Sequence, residues 1–195
     1  MTLPALVERI RAEGRNLGNG ILKIDSLLNH QIDPTLMLAM GQRLAQEFRH
    51  LGIQRILTAE ISGIAPALAT GAQLGVPVVY ARKKRPITMA GTIYLETAPS
   101  HTKGGVVELM VSGEFLKADE RVLIIDDFLA SGETLKALIR MTEAANAQAV
   151  GVGVVVEKRF EGGRHALNEA GYGHLPVYAL ATITSMEGHS IVLED

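Results

Sequence analysis

The stretch that decides the fold is "VLIIDDFLASGETLKAL", which runs from Val122 to Leu138. Apolar residues lead to two adjacent aspartates, Asp126 and Asp127, and a short Ser-Gly segment then opens a pattern typical of a helix. We predict a buried strand closed by the two acids, then a turn and a helix. Carboxylates accept hydrogen bonds from a sugar diol, and the free N–H groups at a helix N-terminus suit a phosphate. The stretch therefore indicates a site for a ribose 5-phosphate.

Each part of this stretch also has a purely structural explanation. Asp127 could simply start a turn, and Ser131 could simply cap the helix. Two acids together with a glycine-bearing turn favour a binding site over this explanation. The stretch is not a P-loop, because no lysine follows Gly132, and "GVGVVV" at 151–156 is not a dinucleotide fingerprint, because it lies inside a predicted strand.

Strands and helices alternate over most of the chain. The predicted strands are 55–60, 76–82, 105–113, 121–127, 148–158 and 175–183, and the predicted helices are 3–13, 34–50, 64–75, 132–146 and 162–171. The strands are continuously apolar rather than alternating, so we predict an α/β fold with a mostly parallel sheet flanked by helices. Residues 20–31 show no clear period, and residues 83–105, rich in Gly, Pro, Thr and Lys, are predicted to be the one long irregular segment.

Composition limits the class of protein. The 195 residues predict one domain, 1–195. A net charge of −2 gives no sign of a nucleic-acid partner, and the chain has no cysteine for a disulfide or a thiolate nucleophile. The longest apolar run is too short to span a bilayer, and the N-terminus lacks the apolar core of a signal peptide. We expect no membrane partner and a cytoplasmic protein.

"VLIIDDFLASGET" resembles the signature of the type I phosphoribosyltransferases, which bind 5-phosphoribosyl 1-pyrophosphate. The resemblance implies their fold, with a flexible loop at about 83–105 that closes over the site and a base-recognition hood made by the two chain ends. It implies that Asp126 and Asp127 are the catalytic acids that hold the ribose hydroxyls. The residues implied to hold the 5′-phosphate are Ala130, Ser131, Gly132, Glu133 and Thr134. It also implies Mg²⁺, bound with the donor, and a homodimer.

Two further segments agree with the resemblance. "AEISGIAPA" at 59–67 contains Ser62 and Gly63 at a strand-to-helix turn, where the family binds diphosphate, although an ordinary turn would look the same. "ARKKRP" puts four cations after a strand, of which we favour Arg82 and Lys83 as contacts to the diphosphate. A charge run of this kind is more often a solvated surface.

The choice of base depends on Lys158, which ends a predicted strand. Its ammonium can donate to a carbonyl oxygen but meets an amino group badly, which favours a 6-oxopurine over adenine. A plain surface lysine is the alternative. "ILKIDSLLNHQIDP" and "EISGIAPALATGAQLGVPVVYARK" closely resemble segments of bacterial xanthine phosphoribosyltransferases, which implies that Leu22, Asn29 and Lys158 contact xanthine. Asn29 can donate its amide N–H to the 2-oxo group that distinguishes xanthine from hypoxanthine.

The expected reaction is transfer of the 5-phosphoribosyl group from 5-phosphoribosyl 1-pyrophosphate to N9 of xanthine, which gives xanthosine 5′-monophosphate and diphosphate. Three alternatives stay open. The base could be guanine, hypoxanthine or adenine, the chain could be a non-catalytic regulator on the same fold, such as a purine repressor, or it could be a generic nucleotide-binding module. The regulator would normally need a DNA-binding domain or a basic face.

Overall fold

The computed structural model describes residues 2–99 and 105–194, and ten strands and five α-helices lie in these ranges. The strands are β1 Arg15–Asn16, β2 Leu22–Lys23, β3 Arg55–Ala59, β4 Val78–Ala81, β5 Ile93–Pro99, β6 Val106–Ser112, β7 Arg121–Leu129, β8 Gln148–Lys158, β9 Val177–Ser185 and β10 Val192–Leu193. The helices are α1 Pro4–Glu13, α2 Pro34–Phe48, α3 Ile64–Leu74, α4 Glu133–Ala144 and α5 Gly163–Leu167. None of the helices in these ranges is long and apolar enough to cross a membrane.

The main sheet has six strands in the order β10-β9-β8-β7-β3-β4. All neighbouring pairs are parallel except β10 with β9, so the sheet is mostly parallel, as predicted. Helices cover both faces, and the inner strands β3, β7, β8 and β9 are accordingly buried over most of their length. The carboxyl ends of β3, β4, β7 and β8 meet at one edge, where such sheets bind their ligands.

One face of the sheet packs against α1, α2 and α3, and the other face packs against α4, α5 and the β5–β6 pair. The start of α2 was predicted correctly: the Asp33 carboxylate accepts from the N–H groups of Thr35 and Leu36, and Pro34 follows at the first helical position. These caps and the apolar stripe of the helix fix α2 against the sheet.

Two local predictions were wrong. Within the segment predicted to be irregular, β5 forms a regular antiparallel ladder with β6, in register from Ile93 with Ser112 to Pro99 with Val106. Pro86, Gly91 and Gly105 lie outside the ladder and Pro99 stands only in its last pair, and a strand paired over its length satisfies its backbone groups. The rest of the predicted flexible loop includes residues 100–104, which lie outside the described residues.

The second wrong prediction concerns the end of β7. The strand does not close at the acids but continues to Leu129, because β8 is long enough to pair with it there: Asp126 pairs with Val154 and Phe128 with Val156. The acid pair therefore stands on a strand held by ladder hydrogen bonds rather than on a free loop.

Residues 15–31 form a hood together with the C-terminal segment. The part that showed no clear period, 20–31, contains β2 and a π-helical turn at Asp25–Asn29, and a tight turn at residues 18–20, all three with positive φ, joins β2 to β1. The Asn16 side chain donates to the carbonyl oxygens of Gly188 and Ser190, both at 3.1 Å. These bonds tie the two ends of the chain together.

Candidate active site

A cavity of about 360 Å³ lies at the carboxyl edge of the sheet. Its lining includes twelve of the fourteen site residues predicted from the sequence: Leu22, Asn29, Ser62, Gly63, Lys83, Asp126, Asp127, Ala130, Gly132, Glu133, Thr134 and Lys158. Arg82 and Ser131 are not among its lining residues. Five separate parts of the chain, at 22–29, 62–63, 83, 126–134 and 158, therefore meet around one cavity.

The two acids differ in their surroundings. Asp126 is only 5 % exposed, and its Oδ1 accepts from the backbone N–H of Asp127 at 3.0 Å. Burial, and then the charge of Asp127, raises the pKa of Asp126 well above its usual value, and nearby Lys83 opposes this shift. Burial also raises the pKa of Asp127, whose Oδ1 accepts from the N–H of Phe128 at 2.9 Å. Ionising both acids is easiest with cations or hydroxyl donors beside them.

The predicted phosphate loop leads directly into α4. Gly132 precedes the helix with φ of +83°, a left-handed conformation that favours glycine. The loop is backed by a second glycine: a Cβ on Gly163 would lie 2.3 Å from the carbonyl oxygen of Ala130. This close approach holds the loop in place, and the first residues of α4, Glu133 and Thr134, whose N–H groups have no partner within the helix, line the cavity.

The turn between β3 and α3 forms another part of the lining. The peptide bond between Glu60 and Ile61 is cis. The Glu60 carboxylate accepts from the Arg82 guanidinium at 2.8 Å and from the backbone N–H of Lys83 at 2.6 Å. Arg82 is therefore engaged with Glu60 and holds the turn, whereas the Lys83 side chain lines the cavity.

The predicted base contacts come from distant parts of the chain. The Lys158 ammonium donates to the carbonyl oxygen of Gly20 at 2.6 Å, across 138 positions of sequence. Leu22 is buried in the base hood, and the exposed Asn29 amide lies 3.5 Å from the Ser62 hydroxyl. Lys158 thus ties the hood to the sheet, and Asn29 lies where the hood meets the β3–α3 turn.

Sequence reasoning missed several residues that line the cavity, and two of them lie close to the Lys158 ammonium. Phe128 is half-buried, and the Lys158 ammonium lies 5.2 Å from its ring centre, a distance at which a cation and an aromatic ring attract. Glu161 lies 3.3 Å from the same ammonium. Phe128 could have been found from its place directly after the acid pair, whereas Glu161 gives no signal without the fold.

The comparisons with known proteins agree with this geometry. A family profile described as "Phosphoribosyl transferase domain" matches residues 38–166, from within α2 to α5, and so includes the acid pair and the phosphate loop. The chain belongs to the phosphoribosyltransferase family and is a phosphoribosyl-transferring enzyme.

The relatives give a narrower likeness. The chain is 55 % identical over 191 residues to "Xanthine phosphoribosyltransferase" of Deinococcus deserti, covering 97 % of both chains. It is 46 % identical to the protein of the same name from Listeria monocytogenes, covering 96 % of both. A crystal structure of adenine phosphoribosyltransferase from Rhodothermus marinus, 24 % identical, has the same fold with a TM-score of 0.74 over 92 % of this chain and 99 % of that one.

Proposed function

We propose that the protein transfers the 5-phosphoribosyl group of 5-phosphoribosyl 1-pyrophosphate to N9 of xanthine and so serves purine salvage. One observation carries this proposal: a single cavity joins the acid pair and the phosphate loop to Asn29 and Lys158. The names of the relatives, at 46–55 % identity over nearly the whole chain, support the same base.

In this proposal the protein works by positioning and by charge. The bond from C1′ to the diphosphate oxygen breaks as the bond from C1′ to N9 forms, through a state with positive charge on the ribose, and the base releases its imidazole-ring N–H proton to solvent. Asp126 and Asp127 hold the ribose hydroxyls, and residues 130–134 hold the 5′-phosphate with backbone N–H groups. Ser62, Gly63 and Lys83 face the diphosphate, and Arg82 acts through Glu60. No covalent nucleophile is needed, because fixed geometry and charge lower the barrier.

The family implies Mg²⁺, and the residues fit a metal carried by the substrate. In the described ranges no three acid or histidine side chains cluster as a protein metal site. The cavity lining nevertheless carries more carboxylates than ammonium groups, so a bare diphosphate would meet net repulsion. Mg²⁺ typically keeps its waters and binds mainly through phosphate oxygens. Held by the donor's own oxygens, it would neutralise the leaving diphosphate.

On the base side, Asn29 would donate its amide N–H to the 2-oxo group, and Lys158 would donate to an acceptor on the base such as the 6-oxo group. Leu22 would contact the ring. Lys158 can turn from Gly20 to the base because its long side chain swings without moving the backbone. These contacts favour xanthine over hypoxanthine and disfavour adenine.

We further propose one catalytic domain in which the flexible loop, 83–105, closes over the bound substrates. The β5–β6 pair supports this, because Ala98, Pro99 and Val107 line the cavity. Trypsin should cut after the exposed Lys83 or Lys84 in the protein without ligands, and much less with saturating donor analogue and base. Equal cutting in both conditions would count against closure.

A homodimer and a cytoplasmic location complete the proposal. The exposed apolar side chains of Ile61 and Leu68, at 77 % and 62 %, support a contact surface beside the cavity. The phosphorylated donor and product are highly charged and stay in the compartment where they are made, which supports the cytoplasm. Sedimentation velocity and cell fractionation test these two points.

The direct test of activity uses purified protein, 5-phosphoribosyl 1-pyrophosphate, Mg²⁺ and each purine base in turn. Xanthine should be the best acceptor, guanine and hypoxanthine poorer, and adenine nearly inert. Comparable kcat/KM values for adenine and xanthine would reject the proposed base, and no turnover of any base would reject the reaction.

A further inference from the structure

Among the described residues, one buried side-chain oxygen has no hydrogen-bond partner: Oγ1 of Thr58, a residue that is 0 % exposed. An unpaired buried hydroxyl costs free energy that an apolar side chain of the same shape would not. Thr58 lies near the end of β3, between the apolar Leu57 and Ala59, where valine would satisfy both the strand and the core. The hydroxyl therefore calls for an explanation outside the packing of the core.

The position of the Thr58 hydroxyl supplies such an explanation. A Cβ built on Gly63 would lie 2.3 Å from Oγ1 of Thr58 and 2.8 Å from Oδ1 of Asp126. Both oxygens therefore lie beside the space that a Gly63 side chain would fill, and at most about 5 Å separates them. Rotation of the Thr58 or Asp126 side chain can close this gap to hydrogen-bond distance. Asp126 Oδ1 already accepts from one backbone N–H and has room for a second donor.

We propose that the Thr58 hydroxyl is a positioning group that donates a hydrogen bond to the Asp126 carboxylate when the phosphoribosyl donor is bound. To accept hydrogen bonds from the ribose hydroxyls, the Asp126 carboxylate must be ionised and held in place. A hydroxyl that donates to its Oδ1 favours the ionised form and also fixes the side chain. Because Gly63 lies between the two side chains, the same contact links the acid to the turn that faces the diphosphate. This inference rests on the proposed function.

Thr58→Val is the decisive variant, since it removes the hydroxyl and keeps the shape. Without ligands, the Thr58→Val protein should melt about 2–4 °C higher, because the unpaired buried group is gone. With xanthine saturating, its kcat/KM for 5-phosphoribosyl 1-pyrophosphate should fall about tenfold to a hundredfold, the size of one lost hydrogen bond to a charged group. The KM for xanthine should hardly change.

Two matched variants separate positioning from packing. Thr58→Ser keeps the hydroxyl and loses a methyl group, so it should melt lower than the parent and keep its kcat/KM for the donor within about threefold. Thr142→Val also removes a buried threonine hydroxyl, but that hydroxyl donates to the carbonyl oxygen of Leu138 at 2.9 Å inside α4, and the residue does not line the cavity. It should leave the kinetics unchanged and should not raise the melting temperature.

The inference is confirmed if Thr58→Val is more stable and less active than the parent protein, while Thr58→Ser is less stable than the parent but keeps its activity. It is overturned if Thr58→Val keeps its activity, or if it loses activity and stability together, since the hydroxyl would then serve the fold. Failure of the proposed function looks different, because the parent protein itself would then show no phosphoribosyl transfer.

Discussion

The proposed sugar-phosphate side of the cavity and its proposed base side differ in how much of the chain each one uses. Asp126, Asp127 and the phosphate loop follow one another without a break, on β7 and at the start of α4. The base side joins Lys158 to Gly20, which lies 138 positions away, and brings in Asn29 from the hood. Local backbone geometry therefore sets the first side, and long-range packing sets the second.

This difference separates two kinds of control. Changes on the sugar-phosphate side should reduce the use of every base alike, because every base shares the donor. Changes on the base side should alter the ranking of the bases while the donor is still bound. Substitutions on the two sides can therefore separate control of donor use from control of base choice. They are taken from the largest expected effect to the smallest.

The largest effect is expected from the double variant Asp126→Asn, Asp127→Asn. Each substitution replaces a charged acceptor of the ribose hydroxyls with a neutral one, a loss of about 1.5–3 kcal/mol per hydrogen bond. The kcat/KM for the donor should fall by about a hundredfold to ten-thousandfold, equally for xanthine and hypoxanthine. Circular dichroism should show the parent fold. Unchanged kinetics would remove the acids from the ribose site.

A smaller effect is expected from Gly163→Ala. The new Cβ would lie 2.3 Å from the Ala130 carbonyl oxygen and 2.4 Å from Cδ1 of Leu129, so the phosphate loop must move. The KM for the donor should rise about tenfold or more, because small displacements of binding groups are costly. The KM for xanthine should stay near its parent value.

Gly162→Ala is the matched control for this variant. Gly162 has φ of +74° and no atom within 4 Å of a Cβ, so alanine there costs about 1–2 kcal/mol of strain without pushing on the loop. Both variants should lose stability, but only Gly163→Ala should raise the KM for the donor. Similar KM values in the two variants would show that the loop does not depend on Gly163.

The smallest effect is a change of stability with pH. Burial raises the pKa of Asp126 above its unfolded value of about 3.9, so the folded state binds this proton more tightly than the unfolded state does. The contribution of this group to stability is therefore present below the unfolded pKa and is lost as the pH rises through the folded pKa.

Asp126→Asn should remove this loss of stability at higher pH, because asparagine does not ionise. Its Oδ1 can still accept from the Asp127 N–H, so the variant should melt a few degrees above the parent at pH 7–8 and close to it near pH 3.5. Thermal denaturation across this range measures the difference. A variant that is less stable than the parent at neutral pH would mean that the ionised acid stabilises the fold, which is the opposite of the effect expected from its burial.

The same contrast explains how much could be predicted from the sequence. The acid pair, the phosphate loop and the mostly parallel sheet follow from residue order, because a buried strand, small residues and a helix start are local patterns. β5 was missed because a ladder with β6 decides that segment, not its composition. The continuation of β7 past Asp127 was missed for the same reason, since the length of β8 decides it.

For the base side, fewer site residues could be predicted from the sequence alone. Lys158 could be placed at a strand end from its pattern, but Leu22 and Asn29 were selected only through the resemblance to a family. Glu161 and the Thr58 hydroxyl carry no sequence signal, because their places depend on which distant residues pack beside them. Physical contacts made across the fold are the part that one sequence does not reveal.

The most direct test of base recognition is the ratio of kcat/KM for xanthine to that for hypoxanthine, measured with donor saturating in three proteins. The parent should prefer xanthine. Asn29→Ala should lower the ratio about tenfold to a hundredfold, because only xanthine carries the 2-oxo group. Lys158→Gln should lower kcat/KM for both bases by the same factor and so leave the ratio unchanged. His30→Ala, exposed and outside the cavity lining, is the control and should change neither value. A ratio that Asn29→Ala leaves unchanged would contradict the assignment of Asn29 as the group that reads the base.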